Sequence, residues 1–235
     1  MQHEQVIAKL NKNAGKIAAV KPQVIPFKKY LKCYELLLVD NAPWKNASKW
    51  LAGKTSISRA DIKALANACK AETQSWPTLF VISMIWGYGE RDDGGPVKLY
   101  FALNTNNAEA IINETAKDIA NGNLKEAFVN IQELNEIGGS FGSKFLFAVG
   151  QAYPSKPQPL VLDSKLIRAL CNLWGYEADK LFNLKEQSYT YRKGRDRAAL
   201  GYVAYCDALQ SIAQHLTNPI APEILEQFLF ENPDP

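Results

Sequence analysis

A glycine-rich turn between two apolar segments is the feature that most constrains how this chain can fold. The segment before the turn, residues 124–134, carries apolar residues at helical spacing, and a second apolar segment begins at Ser143. The turn contains Gly138, Gly139 and Gly142. Because glycine has no side chain, these positions let the backbone turn tightly and approach a partner closely. The pattern predicts a helix-hairpin-helix unit over residues 124–151, with the second helix beginning at Ser143.

Two residues whose side chains could take part in a reaction follow this turn. Lys144 lies within the first turn of the predicted second helix, and Asp163 lies nineteen positions later, at the start of a predicted helix over residues 163–174. Taken singly, each has an ordinary explanation, since lysines in first turns are usually solvated and an aspartate before an apolar helix is usually an N-cap. The start of the second helix also offers backbone amides that could hold a phosphate group, aided by the helix dipole.

Lysine, hairpin and aspartate together resemble the helix-hairpin-helix DNA glycosylase superfamily, and within it the 8-oxoguanine DNA glycosylases. That family places a lysine after the last Gly-x of the hairpin and an aspartate at the next helix start, which here are Gly142-Ser143-Lys144 and Leu162-Asp163. The resemblance implies an all-α fold of two helical lobes, with Lys144 and Asp163 facing the cleft between them. Ser140 replaces a glycine of the usual hairpin, and Lys165 stands where the family often has histidine.

The resemblance also implies an activity. It predicts a DNA N-glycosylase, with or without AP-lyase activity, that excises an oxidised purine such as 8-oxoguanine from double-stranded DNA without a cofactor. A lysine amine can attack C1′ of the sugar and form a Schiff base, which is the role predicted for Lys144. A carboxylate can stabilise the cationic sugar that develops as the base leaves, which is the role predicted for Asp163. The chain looks most like small, divergent bacterial versions, some of which accompany anti-phage gene islands.

Further positions are candidates for contact with DNA. A stretch over residues 185–197 carries five basic residues with two interleaved tyrosines, a composition that can contact phosphates and stack on bases, or that can simply form a solvated helix start. The predicted DNA-binding residues are Gly139, Gly142, Ser143, Lys165, Arg192, Lys193 and Arg195. The resemblance further suggests Gln210 and Trp86, with its neighbour Gly87, for the base pocket.

Two other functions stay open at this level. The scaffold could bind nucleic acid or protein without excising a base, in which case Lys144 would contact a phosphate. Alternatively, the chain could be a helical structural protein with a coincidental Gly-Ser-Lys, which predicts no affinity for DNA at low salt, where phosphate contacts are strongest. Burial of Lys144 beside Asp163 in a cleft would favour catalysis over both.

Composition limits other classes of function. The 235 residues are 47% apolar, enough for a real core, and we interpret residues 1–235 as a single helical unit. A net charge of only +3 means that any DNA surface must come from local clustering. The four cysteines form no CxxC and are interpreted as reduced core residues; with two histidines, no metal site is expected. Without a signal sequence or an apolar run of roughly 18 residues, a cytoplasmic protein with no membrane contact is expected; protein partners are unknown.

Apolar spacing and capping residues predict further helices in the rest of the chain. We expect one over residues 2–20 and one over residues 26–41, whose apolar face would be Tyr30, Cys33, Leu36 and Leu37. Ser58 and Asp61 predict an N-terminal cap, and residues 77–89 predict a buried helix followed by a loop. A helix ending at Ala120 would be capped by Thr105 or Asn106. A long helix and a short final helix complete the pattern.

Overall fold

A computed structural model describes residues 2–90, 94–175, 177–184 and 195–235 of the chain. Helices dominate this part of the chain, which confirms the predicted all-α fold. The helices are α1 (Gln2–Asn11), α2 (Ala14–Ala18), α3 (Leu31–Leu38), α4 (Ala42–Leu51), α5 (Arg59–Lys70), α6 (Trp76–Tyr88), α7 (Gly95–Leu103), α8 (Ala108–Ala120), α9 (Leu124–Ile131), α10 (Gly139–Gly150), α11 (Ser164–Trp174), α12 (Glu177–Phe182), α13 (Arg195–His215) and α14 (Pro222–Glu231). A 3-10 turn spans Lys28–Tyr30, and β1 (Val24–Pro26) pairs antiparallel with β2 (Ser56–Ser58).

Side-chain caps set the starts of several helices. As predicted, α5 begins with a capping box, in which the Ser58 side chain accepts from the Asp61 amide and the Asp61 carboxylate accepts from the Ser58 amide. The side chain of Asn41 accepts from the Trp44 amide and so begins α4, a helix that we did not predict. Ser75 caps α6 in the same way, with Pro77 in its first turn.

The helices form two groups around one connected core of buried apolar side chains. In the first group, α6 contacts α4, α5, α7, α8 and α10. In the second, α13 contacts α1, α12 and α14, and α11 contacts α12 and α14. Contact between α9 and α13 joins the groups. Nearly every residue of α6 and α10 is buried, so these two helices lie inside the core of the first group.

The hairpin differs from the prediction in where its second helix begins. Helix α10 starts at Gly139 instead of Ser143, so Lys144 lies in the second turn. Gly138 has an extended backbone, and the left-handed position in the connection is Glu136, with φ 62°. Gly142 is needed for a different reason, because a Cβ there would lie 2.7 Å from Cγ2 of Ile131 on α9. The glycine therefore lets the two helices of the hairpin pack closely.

Other local predictions were wrong. The predicted first helix is divided into α1 and α2, and α7 occupies part of the predicted loop. On α3 the buried residues are Tyr34 and Leu38, while Leu36 is 71% exposed, so the predicted apolar face is on the wrong side. Helix α8 is preceded by Asn107, in a left-handed conformation, instead of Thr105 or Asn106.

The cysteines also differ from their predicted placement. Cys69 and Cys206 are buried as expected, but Cys33 and Cys171 lie on the exposed sides of α3 and α11. Within the described ranges, no helix has both the length and the apolar character that crossing a bilayer requires.

Candidate active site

Lys144 projects from α10 into the space between the two groups of helices. Its side chain is almost fully buried, with 4% of the residue exposed. The Nζ atom donates to the carbonyl oxygen of Ser140 at 3.0 Å and lies 3.3 Å from the Ser140 hydroxyl. It also lies 4.7 Å from the centroid of the Phe141 ring. These contacts hold the amine in one place at the N-terminal end of α10.

Gly87, near the end of α6, makes this position possible. A Cβ at Gly87 would lie 2.1 Å from Cδ and 2.7 Å from Cε of Lys144. The stem of the lysine therefore runs directly over the backbone of α6, a path that no larger residue at position 87 would allow. The sequence suggested Gly87 for the base pocket, and in the structure its lack of a side chain leaves room for the stem of Lys144.

Asp163 caps the next helix, as predicted. Its Oδ1 accepts from the backbone amides of Lys165 at 3.0 Å and Leu166 at 3.1 Å. The residue is 6% exposed, and its backbone is extended, as is usual for an N-cap. Because the cap uses Oδ1 for both bonds, Oδ2 is the oxygen that can serve another group while the helix start keeps the carboxylate fixed.

Lys144 and Asp163 line the same cavity, which confirms that they face one cleft. The cavity has a volume of about 410 Å³, within the range of small-ligand pockets. Its wall comes from both groups of helices. The first group contributes the start of α5, the end of α6 and Lys144, the second contributes Asp163 at the start of α11 and two residues of α14, and β1 adds to the lining. The cleft thus brings together segments from the beginning, middle and end of the described chain.

A buried ion pair also lines this cavity, and the sequence analysis missed it. Arg59 Nη2 lies 2.8 Å from Oε2 and 3.1 Å from Oε1 of Glu226, and Arg59 Nη1 donates to the Glu223 carbonyl oxygen. The guanidinium lies over two aromatic rings, 4.8 Å from the Phe147 centroid and 5.7 Å from that of Trp86. Arginine is well suited to such stacking because its guanidinium group is planar and is more weakly hydrated than an ammonium group.

Glu226 is only 1% exposed, and burial raises its pKa to about 7 although Arg59 favours its charged form. One local signal could have identified this residue. Glu226 directly follows Leu225 in the apolar run of α14, and a carboxylate among apolar neighbours is a candidate for burial with a charged partner. Arg59, at the first position of α5, carries no such signal, since charged residues are common there.

Of the two other residues predicted for the base pocket, one lines the cavity and the other does not. Trp86 lines the cavity and stacks on Phe147, with ring centroids 5.7 Å apart. Gln210 does not line it: Oε1 of Gln210 accepts from the Gln158 amide at 3.0 Å, so this glutamine holds the proline-rich loop over residues 153–159, between α10 and α11. The predicted base-pocket role of Gln210 is therefore wrong, and its side chain instead makes a structural contact with the loop.

The predicted DNA-binding residues also differ in placement. Lys165 is exposed at the cavity, with Nζ 4.6 Å from the Phe230 ring centroid. Arg195 pairs with Glu133 at the hairpin, so its charge is balanced within the protein. Gly139 is at the first helical position of α10, where a backbone amide has no partner within the helix. Its phosphate contact stays a prediction.

The four remaining residues of this set fall into two pairs. Gly142 and Ser143 are buried and pack the protein interior, so we correct their predicted phosphate contacts to structural roles. Arg192 and Lys193 lie outside the described residues, as does most of the basic stretch over residues 185–197.

The fold and this cavity define the class of protein: a helical hairpin protein that holds a buried lysine and a capping aspartate in one cleft. The family model described as "Putative 8-oxoguanine DNA glycosylase OGG-like protein" matches residues 37–230, and the chain belongs to that family. The matched range includes Lys144, Asp163, Arg59 and Glu226. A search of curated proteins and a search of solved structures each gave no significant match.

Proposed function

We propose that this protein is a DNA glycosylase that excises an oxidised purine such as 8-oxoguanine from double-stranded DNA. The observation that carries the proposal is the placement of Lys144 and Asp163 in one buried cavity of a chain from the OGG-like family. The burial of Lys144 favours catalysis over the ordinary solvated lysine that its position in the sequence would otherwise suggest.

The proposed reaction begins once the damaged nucleotide has left the base stack and entered the cavity. The Nζ lone pair of neutral Lys144 bonds to C1′ while the bond from C1′ to the base nitrogen breaks. The base leaves with that electron pair and takes up a proton from the attacking amine. Asp163 stabilises the positive charge that develops on the sugar as this bond breaks. The helix cap fixes the carboxylate beforehand, so little reorganisation is needed.

The covalent product can then form a Schiff base. The ring oxygen leaves C1′ as the nitrogen lone pair forms the imine bond, and the oxygen takes up the remaining amine proton. Loss of a proton from C2′ with departure of the 3′ phosphate oxygen would cleave the strand, which is the AP-lyase extension of the proposal. In this proposal Lys165, which is exposed at the cavity, contacts a phosphate of the bound duplex. The anti-phage setting is a further prediction from the family resemblance.

Borohydride trapping on duplex DNA that contains 8-oxoguanine tests the proposal. Borohydride reduces the imine, so the wild-type protein should give a covalent adduct that Lys144→Ala abolishes. Lys98→Ala is the matched control, because Lys98 Nζ also lies over the Phe141 ring, 5.4 Å from its centroid, but belongs to α7. Asp163→Asn should keep the helix cap, since asparagine also caps helices, yet slow trapping by removing the charge.

The outcomes distinguish the candidate functions. An adduct that persists in Lys144→Ala would exclude Lys144 as the nucleophile. Absence of an adduct from wild-type protein that still binds DNA would favour a binding module on the same scaffold. Absence of both the adduct and DNA binding at low salt would leave only family membership.

A further inference from the structure

The backbone immediately before Asp163 is held by hydrogen bonds from side chains of other helices. Residues 160–162 join the proline-rich loop to α11 without regular secondary structure, and all three are buried. Buried backbone groups outside helices and strands need partners from elsewhere in the protein. Here hydroxyl groups from two other helices bond to the three carbonyl oxygens and to the Leu162 amide.

Ser143 supplies the first of these contacts. Its Oγ accepts from the Leu162 amide at 3.0 Å, donates to the Ser140 carbonyl oxygen at 3.0 Å, and lies 3.4 Å from the Leu162 carbonyl oxygen. Ser143 directly precedes Lys144 in the chain, and Leu162 directly precedes Asp163. One fully buried hydroxyl therefore ties together the two backbone segments that carry the proposed catalytic pair.

Two tyrosines of α13 supply the other contacts. The hydroxyl of Tyr205 donates to the Val161 carbonyl oxygen at 2.7 Å, and that of Tyr202 donates to the Leu160 carbonyl oxygen at 2.7 Å. Both residues are completely buried, and burial raises the pKa of each hydroxyl well above its usual range. The tyrosines therefore keep their protons and remain donors at any physiological pH.

We propose that Ser143, Tyr202 and Tyr205 are positioning residues that fix the Asp163 carboxylate relative to Lys144. The proposal rests on the proposed glycosylase function for its catalytic consequence, but its geometric content can be measured without it. None of the three needs to touch the substrate, because each acts through the backbone of residues 160–162. Small displacements of a reacting group are enough to slow chemistry by roughly a hundredfold.

Single-turnover excision of 8-oxoguanine is the first measurement, with DNA affinity measured in parallel. Tyr205→Phe removes one oxygen without changing the ring, and we expect the rate to fall by roughly ten- to a hundredfold while DNA affinity stays constant. Ser143→Ala should have the largest effect, since it releases Leu162, and Tyr202→Phe the smallest, since Leu160 is furthest from Asp163. Ser143→Thr, which keeps the hydroxyl, should restore part of the rate.

Ser83→Ala is the matched control for the serine. Ser83 is also completely buried on a central helix, α6, and its hydroxyl donates to the Phe80 carbonyl oxygen at 2.8 Å, three residues earlier. Ser143 makes the same kind of bond to Ser140, so the control removes an equivalent hydroxyl that does not contact residues 160–162. We expect its excision rate to equal that of the wild type.

Amide hydrogen exchange at Lys165 and Leu166 provides the readout that does not depend on activity, because both amides donate to Asp163 Oδ1. In Tyr205→Phe and Ser143→Ala these amides should exchange at least several-fold faster, and Ser83→Ala should leave them unchanged. Unchanged exchange at these amides, or unchanged excision in an active enzyme, would overturn the positioning role. If wild-type protein excises no base, the proposed function fails, and exchange alone then decides whether the three hydroxyls position Asp163.

Discussion

At the scale of single residues, Gly87 shows how a position without a side chain can set the path of a long neighbouring side chain. Its backbone forms the surface along which the stem of Lys144 lies, and the contact is close enough that a single methyl group would occupy the same space. The lysine stem is flexible, so a larger residue at this position would displace the amine and leave the fold intact.

Gly87→Ala should therefore separate chemistry from stability. We expect borohydride trapping to fall at least about tenfold, by displacement of Nζ from its place beside Ser140. The free energy of unfolding should change by less than about 1 kcal/mol, since alanine also favours the helix. Gly15→Ala on α2 is the control, because a Cβ there has no atom within 4 Å. Trapping that matches the wild type in Gly87→Ala would contradict the packing seen here.

Glu226 should make the free energy of unfolding depend on pH in a defined direction. Burial raises its pKa to about 7 in the native state, from an ordinary value near 4.5. Between these two values the native protein keeps the proton that the unfolded chain releases, so the free energy of unfolding falls as the pH rises from about 4.5 to about 7. The contribution of this one carboxyl to that fall is about 3 kcal/mol.

Urea unfolding at pH 5 and at pH 8 checks this expectation. The wild type should lose more stability between the two pH values than Glu226→Gln, which has no proton to release. The comparison uses the difference between the two pH values, so a general loss of stability from leaving Arg59 unpaired does not affect it. Glu109→Gln, on the exposed side of α8, should keep the wild-type difference. An equal difference in Glu226→Gln would rule out this carboxyl as the source.

At the scale of secondary structure elements, the hairpin shows what local sequence can and cannot predict. The apolar periodicity before the turn gave the position of α9, and the capping aspartate gave the start of α11. The start of α10 was predicted four residues late, because Gly139 and Gly142 favour a turn when only local propensity is considered. Within α10, Gly142 packs against Ile131 of α9, and that contact is invisible in the sequence.

Gly142→Ala should destabilise the hairpin by about 1–3 kcal/mol, because its Cβ would overlap Cγ2 of Ile131. Ile131→Ala removes that methyl group but leaves a cavity, which also costs stability. The double variant should lose less stability than the two single variants lose in sum. Removal of the Ile131 methyl group makes room for the new Cβ at position 142, and that Cβ fills part of the cavity. A double-mutant cycle with denaturant unfolding measures this coupling, and strictly additive losses would show that the two side chains do not meet.

At the scale of the whole molecule, the cavity joins parts of the chain that no local pattern connects. The sequence predicted Lys144 and Asp163 because a family resemblance linked them within one motif. Arg59 and Glu226 were missed because they are 167 positions apart and meet only after α5 and α14 have packed. The face of α3 was mistaken for a similar reason, since either side of a short apolar helix can be buried, and tertiary contacts decide which.

Overall charge also belongs to this scale. With a net charge of only +3, DNA binding has to depend on a few well-placed cations. Lys165→Ala should lower the slope of log K against log salt concentration by about 1, the effect of losing one phosphate contact. Lys117→Ala, on the exposed surface of α8, is the control, and its slope should match that of the wild type. Binding titrations at several salt concentrations give both slopes, and an unchanged slope in Lys165→Ala would place the phosphate elsewhere.

The position of α14 in the cavity wall has a consequence for how the site comes into being. Glu226 and Phe230 lie about two hundred positions after the β1 residues that line the same cavity. Contacts of such high sequence separation form late, since a long loop must close before they are made. On a translating ribosome, the hairpin with Lys144 can therefore fold while Arg59 still lacks its carboxylate partner. The cavity is completed only when α14 has emerged, so the Lys144 amine is enclosed later than the hairpin that carries it is made.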